Sequence, residues 1–83
     1  MVELKIQMRD LKDVLYFNRI MNNHSFNSDL SSISKRTVTD AKSLLGTLSM
    51  NFRDVLILSL HTDNQELIDD IRDALKEFIT ERV

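Results

Sequence analysis

The sequence predicts one α+β domain, residues 1–83, whose strands and helices follow the order β-α-β-β-α-β-α. Three patterns lead to this prediction. A segment of alternating apolar and polar residues opens the chain, a serine-rich stretch with strand character lies in the middle, and the last third has a regular apolar spacing of three and four residues. Because helices and strands alternate over short connections, we expect a single sheet with the helices packed on one face.

The first strand and the first helix are predicted from two different periods. Residues from Glu3 to Met8 alternate between apolar and polar side chains, as expected for a half-buried strand. Asp10 is the candidate N-cap of the helix that follows, and Asn22 and Asn23 are expected to end it. The apolar residues of this helix are Leu11, Val14, Leu15, Phe17, Ile20 and Met21.

The middle of the chain predicts two short strands, a short helix and a buried strand. The stretch from Phe26 to Thr39 is interpreted as two strands joined near Lys35. The apolar residues after Ser43 indicate a short helix, and serine is a preferred N-cap residue. The aliphatic run from Asp54 to Leu60 is shorter than a typical helix and predicts a well-buried strand.

The final segment predicts a third helix. Asp63 and Glu66 are the expected capping-box pair, in which acidic side chains satisfy free N–H groups of the first turn. We expect the helix to pack its apolar stripe against the sheet beside the first helix. The stripe contains Leu67, Ile68, Ile71, Ala74, Leu75, Phe78 and Ile79.

The composition excludes several classes of function. The chain has no cysteine, which excludes disulfides, thiolate metal sites and a cysteine nucleophile. A formal net charge of -2 is unlike the strongly basic face of a nucleic-acid-binding protein. No apolar run approaches the roughly 18 to 20 residues that span a bilayer, and the N-terminus does not resemble a signal peptide. We therefore expect a cytoplasmic protein without membrane insertion.

Reactive side chains are few. His24 and His61 are far apart in the sequence and have no cysteine near them, so we expect no metal site. His24 is a conceivable phosphoacceptor because imidazole can carry phosphate near neutral pH, but the end of a helix disfavours an added phosphate. We expect no catalytic residue, no cofactor and no enzymatic activity.

The segment Asp40-Ala41-Lys42-Ser43-Leu44-Leu45-Gly46 resembles the regulatory-serine segment of the HPr phosphocarrier family of the bacterial sugar phosphotransferase system. Phe26-Asn27-Ser28-Asp29-Leu30 is similar to the start of the family's second strand, and Asp54-Val55-Leu56-Ile57-Leu58-Ser59 is similar to its fourth. The resemblance covers the chain from Ser25 to Ile79. It implies an HPr-like open-faced β-sandwich with one four-stranded antiparallel sheet and three helices on one face.

In the HPr family, the residues around the regulatory serine form a docking surface for partners. The resemblance therefore implies a regulatory phosphorylation site at Ser43. It also implies partner-binding roles for Lys42, Leu44, Leu45 and Met50. From the residues alone, the three apolar members of this set are equally compatible with a place in the core.

The chain departs from the family at the phosphoacceptor loop. Phosphate-carrying members have a Gly-Leu-His-Ala-Arg-Pro run there, whereas this chain reads Met8-Arg9-Asp10-Leu11-Lys12-Asp13-Val14. Lys12 falls near the phosphoacceptor position, and Val14 falls near the arginine that steadies the phosphate. Lysine cannot replace the imidazole carrier, and valine offers no hydrogen-bond donor. The resemblance therefore predicts an HPr-like protein that is not a histidine phosphocarrier.

These observations predict a regulatory or protein-binding module with a role in the control of carbohydrate uptake. The expected partner is a protein: a phosphotransferase-system component, a kinase or a transcriptional regulator. Two alternatives stay open. The protein is a working phosphocarrier that uses an unrecognised residue, or it is an interaction domain without any phosphorylation.

Overall fold

The computed structural model of the protein describes residues 1–80. The strands of this part of the chain are β1 (Val2–Ile6), β2 (Ser28–Ser32), β3 (Val38–Asp40) and β4 (Leu56–Leu60). The helices are α1 (Leu11–Asn22), α2 (Leu44–Ser49) and α3 (Gln65–Ala74). Of the helices described, none has the length and apolar character needed to cross a membrane.

The four strands form one antiparallel sheet with the order β1-β4-β2-β3. The inner strand β4 pairs with β1 on one side, where Leu58 lies opposite Leu4. It pairs with β2 on the other side, where Leu58 lies opposite Leu30. The predicted α+β class, the four-stranded antiparallel sheet and the element order of an open-faced sandwich are confirmed.

Successive side chains of a strand point to opposite faces of the sheet, and here one face is buried and the other is polar. Glu3, Asp29 and Asp40 lie on the polar face and are at least partly exposed. Residues of the buried face join α1 and α3 in one core cluster, so these helices cover the same face. The sheet residues of this cluster are Leu4, Ile6, Leu30, Leu56, Leu58 and Leu60.

Helix α1 begins at the predicted cap. Asp10 accepts a hydrogen bond from the Asp13 N–H at 3.1 Å. The apolar residues of the helix divide into two groups, because Leu11 and Leu15 are 53% and 49% exposed. The apolar residues therefore occupy a wider part of the helix surface than the core covers. The fully buried residues are Val14, Phe17 and Met21.

The start of α3 corrects the predicted capping box. Asn64 is the N-cap, and its side-chain oxygen accepts hydrogen bonds from the N–H groups of Glu66 and Leu67 at 3.0 and 3.3 Å. Asp63 lies outside the helix, with its carboxylate 3.7 Å from the N-terminal ammonium of Met1. Asparagine and aspartate are about equally good N-caps, so residue type alone does not separate two such neighbours.

The end of α3 also differs from the simple extension of its apolar spacing. The regular helix stops at Ala74, and Ile79 instead forms an isolated β-bridge with Ile6 of β1. The apolar spacing continues past the helix because the chain still has to bury side chains as it turns towards the sheet. Of the residues predicted to pack on the sheet, those that are buried are Ile68, Ile71, Leu75 and Phe78, and those that are half-buried are Leu67, Ala74 and Ile79.

Strands β2 and β3 form the hairpin predicted for the serine-rich stretch. Lys35 lies in its turn and has a φ of 59°, in the left-handed region. The Ser32 N–H donates to the Thr37 carbonyl at 3.0 Å and closes the hairpin. The hairpin therefore exposes its turn at one corner of the sheet, at the end of β2.

Candidate functional site

Ser43 occupies the N-cap of α2, in agreement with its residue type. Its Oγ accepts a hydrogen bond from the Gly46 N–H at 3.0 Å. Its carbonyl accepts the N–H and the hydroxyl of Thr47 at 3.0 and 2.9 Å. The Ser43 N–H donates to the Asp40 carbonyl at 2.9 Å, which joins α2 to the end of β3. The hydroxyl of Ser43 therefore has a structural role in beginning the helix.

Gly46 allows α2 to lie directly on β3. A Cβ atom added to Gly46 would overlap the hydroxyl of Thr39, and it would also lie 3.1 Å from the Ser43 Oγ. A side chain at this position would therefore require either the Thr39 side chain or the first turn of α2 to shift. The glycine therefore fixes the position of α2, and with it the direction of the residues on its outer side.

Two asparagines of α1 hold the segment before α2 in place. The Nδ2 atoms of Asn18 and Asn22 donate to the Lys42 carbonyl at 3.0 and 3.1 Å. Residues 11, 15, 18 and 22 are spaced by three and four positions, so they lie along one side of α1. Leu11 and Leu15 therefore continue the side of α1 that contacts the start of α2.

Helices α1 and α2 adjoin, and four leucines on these two helices are exposed. We call these four residues, Leu11, Leu15, Leu45 and Leu48, the α1–α2 patch. Leu45 is 81% exposed, the highest value among the large apolar residues described, and Leu48 is 37% exposed. Exposed apolar residues grouped in this way are typical of interaction surfaces.

Basic side chains border the α1–α2 patch. Lys12 and Arg19 lie on the solvent side of Leu11 and Leu15, since each residue advances a helix by about 100°. Lys42 is half-exposed just before α2. These three side chains give the patch a basic border, although Lys12 also lines a groove that contains Asp73 and Glu77 and the whole chain has a formal net charge of -2.

The residues predicted to bind a partner do not all reach the surface. Leu45 is exposed, Lys42 is half-exposed, and Leu44 is half-buried against the core. Met50 is 6% exposed and belongs to the core. Its predicted role in partner binding is corrected, because a side chain enclosed by its own fold cannot contact a partner.

Sequence reasoning missed Leu11, Leu15 and Leu48 as surface residues. Leu11 and Leu15 belong to the apolar spacing of the first helix and Leu48 to the apolar residues after Ser43, and such spacing is typical of core positions. A usable signal was nevertheless present in α1. Its apolar residues occupy more of the helix circumference than a stripe facing a single sheet requires. The excess width marks residues that another element or a partner has to cover.

The segment between β1 and the first turn of α1 contains an ion pair. The Nε and Nη2 atoms of Arg9 donate to the two carboxylate oxygens of Asp13 at 2.8 and 3.2 Å. The Arg9 N–H also donates to this carboxylate at 2.9 Å. Lys12 is exposed, whereas Val14 is fully buried and faces the core. The side chain of Val14 therefore offers no hydrogen-bond donor at the surface of this segment.

The ion pair changes the pKa of both partners. The hydrogen bond from the Arg9 side chain lowers the pKa of the Asp13 carboxyl and outweighs the opposite effect of burial. The same hydrogen bond raises the pKa of the Arg9 guanidinium. The charge of Arg9 is therefore engaged by a neighbour four residues away. Arg9 precedes the N-cap Asp10, so the pair joins the loop before α1 to the first turn of the helix.

Each histidine bonds a nearby acceptor. Nδ1 of His24 lies 2.9 Å from the Ile20 carbonyl, and since a carbonyl only accepts, Nδ1 carries a hydrogen. Nε2 is then the nitrogen of the neutral ring that has a free lone pair. Nε2 of His61 lies 2.8 Å from a carboxylate oxygen of Asp29. In residues 1–80, no group of three or more histidine and carboxylate side chains is placed to hold a metal ion.

Comparison with known proteins identifies no relative: no protein-family model, no curated protein and no solved structure matches the chain. The functional interpretation therefore depends on the residues of the chain itself. The interpretation uses three features of the structure: the α1–α2 patch, the capped start of α2 and the ion pair at the start of α1.

Asp13→Asn should lower the free energy of unfolding at neutral pH and have less effect in acid. The pKa of Asp13 is lowered in the folded chain, so its contribution is fully present above the unfolded value of about 3.9. This stabilising contribution is lost as the pH falls through the pKa of Asp13 in the folded chain, which is lower than the unfolded value. The difference between wild type and Asp13→Asn should be constant above about pH 5 and narrow below about pH 4. Urea unfolding at a series of pH values measures it.

Asp70→Asn is the matched control for this experiment. Asp70 is exposed on α3, so its removal should change stability little at any pH. A difference for Asp13→Asn that stays constant down to about pH 2 would contradict the stabilising ion pair.

Proposed function

We propose that this protein is an HPr-like, non-catalytic protein-binding module that docks a partner on the α1–α2 patch. The observation that carries the proposal is the 81% exposure of Leu45 in the first turn of α2. The Ser43 cap and the close contact at Gly46 hold that turn against the sheet. An apolar side chain held in solvent on a fixed element is well suited to enter a pocket of a partner.

The partner surface is expected to combine apolar and acidic side chains. The leucines of the α1–α2 patch favour apolar groups, and Lys12, Arg19 and Lys42 at its border favour carboxylates. Charges at the border of an interface raise the association rate and select the partner, and their effect weakens as salt is added. The formal net charge of -2 does not exclude an acidic partner, because the basic residues that border the patch act locally.

The resemblance around Ser43 and the open-faced sandwich layout support a place in the phosphotransferase system of a bacterial cytoplasm. A phosphotransferase-system component, a kinase or a transcriptional regulator is then the proposed partner, and the control of sugar transport is the proposed role. The basic border of the patch comprises only three side chains, which is too few for nucleic-acid binding.

A phosphocarrier that uses His24 is the alternative function. His24 is half-buried, and its Nε2 has a free lone pair in the neutral ring. Its place just after the last turn of α1 disfavours it, since the helix dipole there opposes a phosphate. The family's phosphate-steadying arginine would fall near Val14, which offers no donor, and Arg9 in the loop before α1 is paired with Asp13.

Incubation with the general phosphotransferase enzyme and phosphoenolpyruvate should leave the wild-type chain unlabelled. The reason is that no imidazole lies between β1 and α1. A phosphate-carrying HPr serves as the positive control. Acid-labile, base-stable label on the wild type that disappears in His24→Ala would establish the alternative.

Ser43 is the proposed point of regulation. A phosphate adds about two negative charges at neutral pH. At Ser43 these charges would lie beside Lys42 and would reduce the positive potential that favours an acidic partner. The competing interpretation is that the hydroxyl serves only as the N-cap of α2, a role that needs no kinase.

Ser43→Ala should lower the free energy of unfolding by about 1 kcal/mol, because the Gly46 N–H loses its acceptor. Ser49→Ala is the matched control. Its hydroxyl donates to the Gly46 carbonyl at the exposed end of α2, and its loss should cost less than about 0.5 kcal/mol. Urea unfolding measures both values.

The same variants separate a regulated serine from a structural one in an assay with the serine kinase of the HPr family and ATP. Phosphate on the wild type and none on Ser43→Ala would support regulation. An unmodified wild type, together with the expected loss of stability in Ser43→Ala, would leave Ser43 as a cap only.

Leu45→Glu should prevent capture of the partner from native cytosol, because the charged side chain cannot enter an apolar pocket. Ile33→Glu is the matched control, since Ile33 is 57% exposed but lies in the β2–β3 hairpin. With the captured protein purified, Leu45→Glu should bind at least about tenfold more weakly than Ile33→Glu. Ser43→Asp should also bind more weakly. Equal binding by Leu45→Glu and the control would contradict docking on the α1–α2 patch.

A further inference from the structure

The two edges of the sheet are not equivalent. The outer edge of β1 is partly paired with the residues after α3. The Gln7 N–H donates to the Phe78 carbonyl and the Thr80 N–H donates to the Lys5 carbonyl, both at 2.8 Å. The other edge is β3, and none of the strands in residues 1–80 pairs with its outer side. Unpaired strand edges are ready to pair with another strand.

The hydrogen bonds of the β2–β3 hairpin define which groups point outwards. The Ser32 N–H donates to the Thr37 carbonyl, and the Ala41 N–H donates to the Ser28 carbonyl, both at 3.0 Å. Hydrogen-bonded and non-hydrogen-bonded positions alternate along an antiparallel pair. The backbone N–H and carbonyl of Thr39 therefore point towards β2, and the backbone groups of Val38 and Asp40 point away from β2.

Three of these outward groups are available to a new strand. They are the N–H and the carbonyl of Val38 and the N–H of Asp40. The carbonyl of Asp40 already accepts the Ser43 N–H. The side chain of Val38 is 60% exposed, so an apolar group accompanies the free backbone groups.

The sequence along this edge is self-complementary in charge. β3 and the two residues before it read Arg36-Thr37-Val38-Thr39-Asp40, with the cation Arg36 in the bend that precedes the strand, the acid Asp40 at the other end and valine in the centre. When two copies pair antiparallel around Val38, valine lies opposite valine, and each Arg36 lies opposite the Asp40 of the other copy. Opposite charges in such cross-strand pairs are stabilising.

A positively charged partner would stabilise the carboxylate of Asp40. Asp40 lies directly opposite Asp29 in the β2–β3 pair, and like charges in that arrangement are destabilising. Asp29 is bonded by His61, whereas the Asp40 carboxylate accepts the Lys42 N–H at 2.9 Å but takes part in none of the ion pairs formed within residues 1–80. An arginine from a second copy would offset the repulsion between the two carboxylates.

We propose that two copies of this chain associate through antiparallel pairing of their β3 edges, with Val38 on the two-fold axis. The two Val38 residues exchange their N–H and carbonyl groups, and two Arg36–Asp40 pairs lie on either side. The two sheets become one continuous sheet. The interface is isologous, so each copy uses the same surface. It is separate from the α1–α2 patch, and the inference does not rest on the proposed function.

The dimer is expected to be weak, because a three-residue strand buries less area than a stable interface needs. Sedimentation equilibrium of the full chain up to about 1 mM should show a reversible monomer–dimer equilibrium. In NMR spectra recorded over the same range, the amide signals of Val38 and Asp40 should shift with concentration.

Charge exchange provides the decisive test. Arg36→Asp and Asp40→Arg should each weaken self-association by about tenfold, because each places like charges opposite one another. An equimolar mixture of the two variants should associate as tightly as the wild type, since every cross-strand pair is again opposite in charge. Lys35→Asp is the matched control, because its charge change equals that of Arg36→Asp but lies outside the paired register.

Val38→Pro keeps the test independent of charge. Proline removes the outward N–H and is tolerated at the edge of a sheet, so the chain should fold and remain monomeric. A wild type that stays monomeric at about 1 mM overturns the proposal, and it would leave the edge to a strand of another protein. A dimer that Val38→Pro does not weaken, or a mixture of the two charge variants that does not associate, also overturns it.

Discussion

The sheet depends on β4, which enters it late in the chain and pairs on both sides. Leu56, Leu58 and Leu60 point into the core, and each lies opposite one residue of β1 and one of β2. Without β4, the β2–β3 hairpin would be isolated, and an isolated hairpin is only marginally stable in water. The core therefore forms through contacts between distant parts of the chain, and α1 and α3 are buried against a face that exists only when β4 is in place.

The sequence predicted the elements well where one period persists and poorly where an element ends. The alternation in β1 and the three-four spacing of α1 each describe a side that is buried. The start of α3 was assigned one residue too early, because Asp63 and Asn64 are equivalent as caps until the backbone is known. Its end was blurred because Ile79 is drawn to the edge of β1, an interaction that its position in the sequence does not reveal.

The candidate site was predicted only in part, because a local pattern does not show which residues the rest of the fold covers. The residues around Ser43 and the exposed Leu45 follow from local sequence and from the resemblance. The assignment of Met50 and the omission of Leu11 and Leu15 share one cause. A helical pattern reports which residues lie on a common side, but it does not report how much of that side the neighbouring elements cover. Coverage is decided by tertiary contacts, here the short length of α2 and its position on β3.

Asp40 links the two surfaces that the fold leaves uncovered. Its carbonyl accepts the Ser43 N–H and so helps to position α2 and the α1–α2 patch. Its N–H and carboxylate lie at the open edge of β3, opposite Asp29. The carbonyl of Asp40 therefore supports the start of α2, while the N–H of Asp40 stays available at the edge of β3. A charge added at Ser43 would lie only three residues from this carboxylate, so the electrostatics of the patch and of the edge are physically coupled.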